Sequence, residues 1–173
     1  AELIFHDGET WQLGKINQYN SLGTNNAAGT SFGPVSGAGQ LVVNLADAST
    51  PASIFGENLT DFTGVLYVQR GNVALGRAPQ HGGPGQNAGF GAQRVNVGNA
   101  GTFTLTLGGG AAGLVTNKFF ASVVRTENGA TIGNRDGHVN WGGDVYLNMQ
   151  DVTAATPVYN ETATTVFAMY YGK

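Results

Sequence analysis

At 173 residues the chain suits one domain, and a domain of this size buries roughly 70% of the surface its unfolded chain exposes, so it needs neither metal nor disulfide to hold together. Charged residues make up only 11% of it, against about 25% in an ordinary soluble domain, while Gly alone takes 28 positions; Asn, Gln, Thr, Ser and exposed backbone must keep it in solution. The net charge of -3 comes from scattered residues that form no basic stripe, and Cys is absent, which together exclude phosphate-backbone binding, thiolate metal sites and cysteine nucleophiles.

In chain order the apolar period is two, the period of a strand with one buried face. Strands are predicted at Glu2 to His6 and Thr10 to Ile16, either side of Asp7-Gly8, then at Gln40 to Ala46. Only Ala46 to Phe55 (ADASTPASIF) suits a short helix, with Pro51 in its first turn and Ser49 or Thr50 as cap. Further strands follow at Phe62 to Arg70, Gln93 to Val97, Thr102 to Leu107, Lys118 to Thr126, Gly137 to Trp141, Asp144 to Gln150 and Thr162 to Tyr171. Asp7-Gly8, Asn128-Gly129 and Asp136-Gly137 reach positive φ cheaply and read as hairpin turns. Ser21 to Gly39 and Arg77 to Gly91 are long loops dense in Gly, Asn and Pro. No repeat of fixed length and no linker is visible, so residues 1–173 are expected to form one all-β domain. The architecture expected is an antiparallel β-sandwich, immunoglobulin-like or jelly-roll-like, with long Gly-rich loops.

Chemistry-bearing motifs are few. Gly108, Gly110 and Gly113 match G-x-G-x-x-G, but the following LVTNKFFASVV reads as strand, whereas a dinucleotide site needs a helix N-terminus there. His6, His81 and His138 lie far apart and share no metal-ligand spacing. The densest polar and aromatic cluster is NRDGHVNWGGD: Asp136, His138, Asn140, Trp141 and Asp144 combine carboxylate and amide groups for sugar hydroxyls with an aromatic face for the ring. The same stretch also reads as two turns, Asp136-Gly137 and Gly142-Gly143, with Trp141 packed inward between them. No catalytic residue, metal or cofactor is expected, and no apolar run approaches the roughly 20 residues of a membrane-spanning helix.

Ala163, Thr165, Phe167, Met169 and Tyr171 alternate along one face near the C-terminus, and Leu3-Ile4-Phe5 followed by Gly8 opens the chain. These two ends resemble bacterial chaperone-usher fimbrial (pilus) subunits. The resemblance implies an immunoglobulin-like fold that lacks its last strand, with a groove lined by the C-terminal strand and filled by the next subunit's N-terminal extension. On that basis Phe167, Met169 and Tyr171 line the groove, and Leu3 and Phe5 on one face, or Ile4 on the other, plug a neighbour's. Two or three such side chains contribute roughly 1.5 to 3 kcal/mol each. ELIFH-DG-ETWQL also reads as a local hairpin, which would keep the first strand within its own chain.

The function expected is therefore a non-catalytic extracellular structural subunit that builds a surface fibre by β-strand complementation, with copies of itself or related subunits as partners. A carbohydrate-binding lectin or adhesin domain with a glycan ligand at the Trp141 cluster is a second class, and a viral or phage capsid or decoration protein a third. The sequence begins at Ala1 with no initiator Met, charged n-region or apolar h-region, as expected of a secreted or cell-surface product whose signal peptide has been cut, or of a trimmed chain.

Overall fold

Alternating Val, Leu and Thr make strands, but the strands lie side by side in one direction. The computed structural model describes residues 3–13, 21–22, 31–32, 35–44, 52–55, 61–76, 92–106, 118–120, 122–136, 139–160 and 166–169. The strands are β1 (Leu3–Phe5), β2 (Thr10–Leu13), β3 (Ser21–Leu22), β4 (Ser31–Phe32), β5 (Val35–Gly37), β6 (Gln40–Asn44), β7 (Ala52–Phe55) and β8 (Val65–Gly76). They continue with β9 (Arg94–Thr106), β10 (Lys118–Phe120), β11 (Val123–Glu127), β12 (Thr131–Asp136), β13 (Val139–Trp141), β14 (Val145–Met149) and β15 (Val166–Met169). Every pairing between them is parallel.

The antiparallel β-sandwich expected from the sequence, of immunoglobulin-like or jelly-roll-like form, is therefore not what these residues make. The chain instead winds as a coil, each turn laid on the one before. On one face β2, β6, the first half of β8, the first half of β9, β11 and β14 stack in that order. A second face stacks β4, β3, β7, the second halves of β8 and β9, β12 and β15. The third face is recorded at its two ends by β1 on β5 and by β10 on β13. Along the first face Thr10, Gln40, Val65, Arg94 and Val123 are successive partners, in steps of 30, 25, 29 and 29 residues, and Val124 to Val145 is a step of 21. The strands superpose while the corners vary in length, which is why no fixed repeat is visible in the sequence.

The turn dipeptides are turns, but two of them are corners and not hairpins. Gly8 has φ 82°, and the Glu9 amide donates to the His6 carbonyl at 3.0 Å, yet β1 pairs with β5 and β2 with β6. Likewise Gly129 has φ 85° and the Ala130 amide donates to the Glu127 carbonyl at 3.2 Å, while β11 and β12 each lie on β9 and never on each other. A positive φ redirects the chain; which strand edges then meet depends on the rest of the fold. Gly137 and the loop at 77–91 fall outside the described residues. The helix expected within Ala46 to Phe55 is also corrected: Ala52–Phe55 is strand β7, whose Ala52, Ile54 and Phe55 lie opposite Val73, Leu75 and Gly76. A ready strand edge outweighs a weak helical preference in so short a segment. The expected loop from Ser21 to Gly39 contains β3, β4 and β5, and β12 (TIGNRD) is a strand that its Gly and charged residues concealed.

Inside the coil, side chains of successive turns stack in columns. Leu41, Leu66, Val95 and Val124 form one, Val43, Val68, Val97 and Thr126 the next, and Val73, Phe103 and Ile132 a third, all fully buried or nearly so. At the corner between the first two faces, a Cβ on Gly101 would run into the Val68 carbonyl of the preceding turn. Glycine there lets the backbones approach to ladder distance.

Phe103→Ala should lower unfolding stability by about 3 to 5 kcal/mol through loss of a buried ring, measured by denaturant titration. Gly101→Ala should destabilise the chain, whereas the exposed neighbouring Ala100→Ser should change it by less than about 0.5 kcal/mol.

Candidate functional site

A coil buries each turn's inner face against the next, so its chemistry is most exposed where stacking stops. Among the described residues β14 is the last strand of the first face: Val145 lies on Val124, Tyr146 on Arg125 and Met149 on Glu127, with a bulge between the last two pairs. The bulge puts Asn148 at φ 58°, a conformation that Asn tolerates better than most residues. It also pulls the Tyr146 carbonyl and the Asn148 amide out of the regular ladder. The Thr126 hydroxyl serves both, donating to the carbonyl at 3.4 Å and accepting from the amide at 3.3 Å. The inner column thus changes from Val43, Val68 and Val97 to a threonine at the turn where a hydroxyl is needed.

Beyond β14 the chain folds back on its own edge. Asp151 opens the turn, its carboxylate accepting from the Thr153 hydroxyl at 2.6 Å and the Thr153 amide at 2.8 Å; these two bonds hold the carboxyl below its ordinary range. The Gln150 amide then donates to the Val158 carbonyl at 2.8 Å and the Asn160 amide to the Asn148 carbonyl at 2.7 Å, an antiparallel closure at Met149 and Tyr159. This covers the Met149 end of β14 only. Among the described residues, the edge from Val145 to Leu147 has no strand beside it opposite β11.

The large apolar side chains exposed among the described residues are Val145 (38%), Leu147 (41%), Val158 (50%), Tyr159 (48%) and, in β1 at the other end of the coil, Ile4 (51%). Four of the five sit on or beside the β14 edge. Val145 is the next member of the fully buried Leu66, Val95 and Val124 column, and among the described residues no further turn lies on it.

The outer surface of the first face carries a different set. Val42, Tyr67, Asn96, Arg125 and Tyr146 are successive partners in the stack. Asn96 is fully buried with neither amide atom hydrogen-bonded, so no ligand in solution reaches it. The Arg125 guanidinium lies 5.7 Å from the Tyr146 ring centre and donates to the Ala154 carbonyl at 2.8 Å, which fastens the 151–157 turn over this face. Burial, and then the Arg125 charge, lower Arg94 from its ordinary value; burial raises the Tyr67 phenol, and the Glu127 and Asp151 carboxylates raise it further.

The residues singled out in the sequence are dispersed. Phe167 and Met169 lie in β15, whose backbone pairs with β12 opposite Ile132 and Asn134, and Leu3, Ile4 and Phe5 lie in β1 opposite Val35, Ser36 and Gly37. Both end strands are thus laid on their own chain, and Tyr171 is outside the described residues. Asp136 ends β12, Asn140 and Trp141 lie in β13 opposite Phe119 and Phe120, and Asp144 is exposed just before β14; His138 is outside the described residues. Among the described residues no three His, Asp or Glu side chains are grouped to hold a metal, and no helix is long and apolar enough to cross a membrane. The β14 edge escaped notice because VYLNM reads as an ordinary strand, and only the stacking order makes it terminal.

No family model matches the chain, and no curated protein or solved structure matches it.

Thr126→Val should cost about 1 to 3 kcal/mol despite its equal size, because it strips the bulge's carbonyl and amide of their partner. A raised phenol pKa leaves stability unaffected while the folded and unfolded forms are both protonated, and removes it as pH climbs above 10.0 toward the folded value. Tyr67→Phe should therefore flatten the alkaline loss of stability, as followed by denaturant titrations across that range.

Proposed function

We propose that this chain is a non-catalytic structural subunit, displayed outside the cell, that builds a fibre by β-strand pairing between subunits. The observation that carries the reading is the clustering of Val145, Leu147, Val158 and Tyr159 at the half-open edge of the terminal strand. Monomeric β proteins guard such edges with Lys, Pro, inward charges or a covering segment. VYLNM has no charge and no proline, and the covering segment stops at Met149. In a parallel coil the joining mode is addition of a further turn at an open end, not the filling of a sandwich groove. The sparse charge of the chain, 11% of residues, supports the same reading, since it offers little repulsion to set subunits apart.

Purified protein should form fibres in electron micrographs and scatter light increasingly with concentration. Leu147→Lys, at an exposed position where the fold tolerates it, should leave circular dichroism unchanged and hold the chain as monomers. A native chain that stays monomeric at every concentration tested would overturn the reading.

A further inference from the structure

Resting on the fibre reading above, we infer that the occupant of the open β14 edge is strand β2 of a second copy, added in parallel and in register as a seventh strand on the first face. The register inside the chain dictates the match. Trp11, Leu41, Leu66, Val95, Val124 and Val145 are successive partners at one register position, so a copy continuing the stack sets its Trp11 on Val145, its Gln12 on Tyr146 and its Leu13 on Leu147. Among the described residues β2 runs to Leu13, and the free stretch of β14 ends at Leu147, before the Met149 and Tyr159 closure. The incoming strand therefore has the phase of the gap. Neither strand carries a charge.

Direction is settled by the rest of the coil. A head-to-tail copy repeats on the first and third faces the parallel contact that already joins every pair of turns, bringing β1 toward β13 beside β2 on β14. Among the described residues β2 pairs only with β6, so its opposite edge is the head of the stack, and the exposed Ile4 of β1 lies at the same end. A two-fold, tail-to-tail contact would require antiparallel pairing on each face, which no two named strands adopt. Head-to-tail contact is heterologous and does not close, so it propagates as a filament. With six strand segments stacked on the first face at about 4.8 Å each, the axial repeat is roughly 29 Å per subunit.

The chain contains no cysteine, so engineered thiols report the contact without background. Thr10 and Asp144 are both exposed and occupy the positions preceding Trp11 and Val145, so Thr10→Cys and Asp144→Cys variants should fold as the native chain does. Adjacent parallel strands bring paired Cα atoms within the 4.4 to about 6.8 Å that a disulfide spans. Mixed and mildly oxidised, the Thr10→Cys and Asp144→Cys variants should yield mostly heterodimers joined by a disulfide between the two introduced thiols, and neither alone should cross-link; Gln12→Cys with Tyr146→Cys should behave alike. Cross-linking of Asp144→Cys with itself would overturn the inference in favour of tail-to-tail pairing. Fibres that form without either cross-link, or with an axial repeat unrelated to ~29 Å, would overturn it while leaving the fibre reading intact. Absence of any assembly by the native chain is the failure of that reading instead.

Discussion

The structure depends on one repeated contact, the parallel backbone ladder between a turn of the coil and the turn before it. A ladder of this kind joins segments far apart in sequence and demands that like positions superpose at strand spacing. The inner columns follow from it: Leu41, Leu66, Val95 and Val124 are similar in size because each is floor to one residue and roof to another. So do the corners, where Gly101 and Gly129 stand close to carbonyls of the preceding turn, those of Val68 and Asn99. Burial is thus a property of the stack, and no single turn has it alone.

That dependence makes the ends of the coil unlike its middle. Stacked-repeat proteins need caps, because a terminal turn has one neighbour where the others have two. Here the cap is partial. The bulge at Asn148, the Thr126 hydroxyl that serves its backbone and the return of the chain at Val158 to Asn160 close one end of β14 and leave the other open. The exposed Val145 is chemically a core residue on which, among the described residues, no further turn lies, and the assembly proposed above starts from it.

The outer surface of the first face points the same way. Its Arg94, Asn96, Arg125 and Tyr67 groups are held by packing, and the 151–157 turn is fastened over them through the Arg125 bond to the Ala154 carbonyl. A fully buried Asn96 amide serves no ligand from solution. These residues hold the final segment of the coil in place, which in turn defines how much of the β14 edge remains free.

Local sequence determined the materials. Alternation in Gln40 to Ala46, Phe62 to Arg70 and Asp144 to Gln150 foretold strands, since a period of two is a property of the backbone wherever the strand is placed, and Asp7-Gly8 and Asn128-Gly129 foretold turns, since positive φ is a property of glycine. Pairing was not legible, because parallel and antiparallel strands bury the same alternating face, and a turn before a strand does not say which edge that strand will meet. For the same reason Ala52–Phe55 and Thr131–Asp136 became strands against their local signals: each found an edge, on β8 and on β9, prepared by residues some 20 to 30 positions away. Which strand stands at the edge of the stack, and hence that Val145 and Leu147 lie exposed, was decided only by tertiary stacking, since among the described residues no neighbouring turn covers them and nothing in VYLNM itself says so.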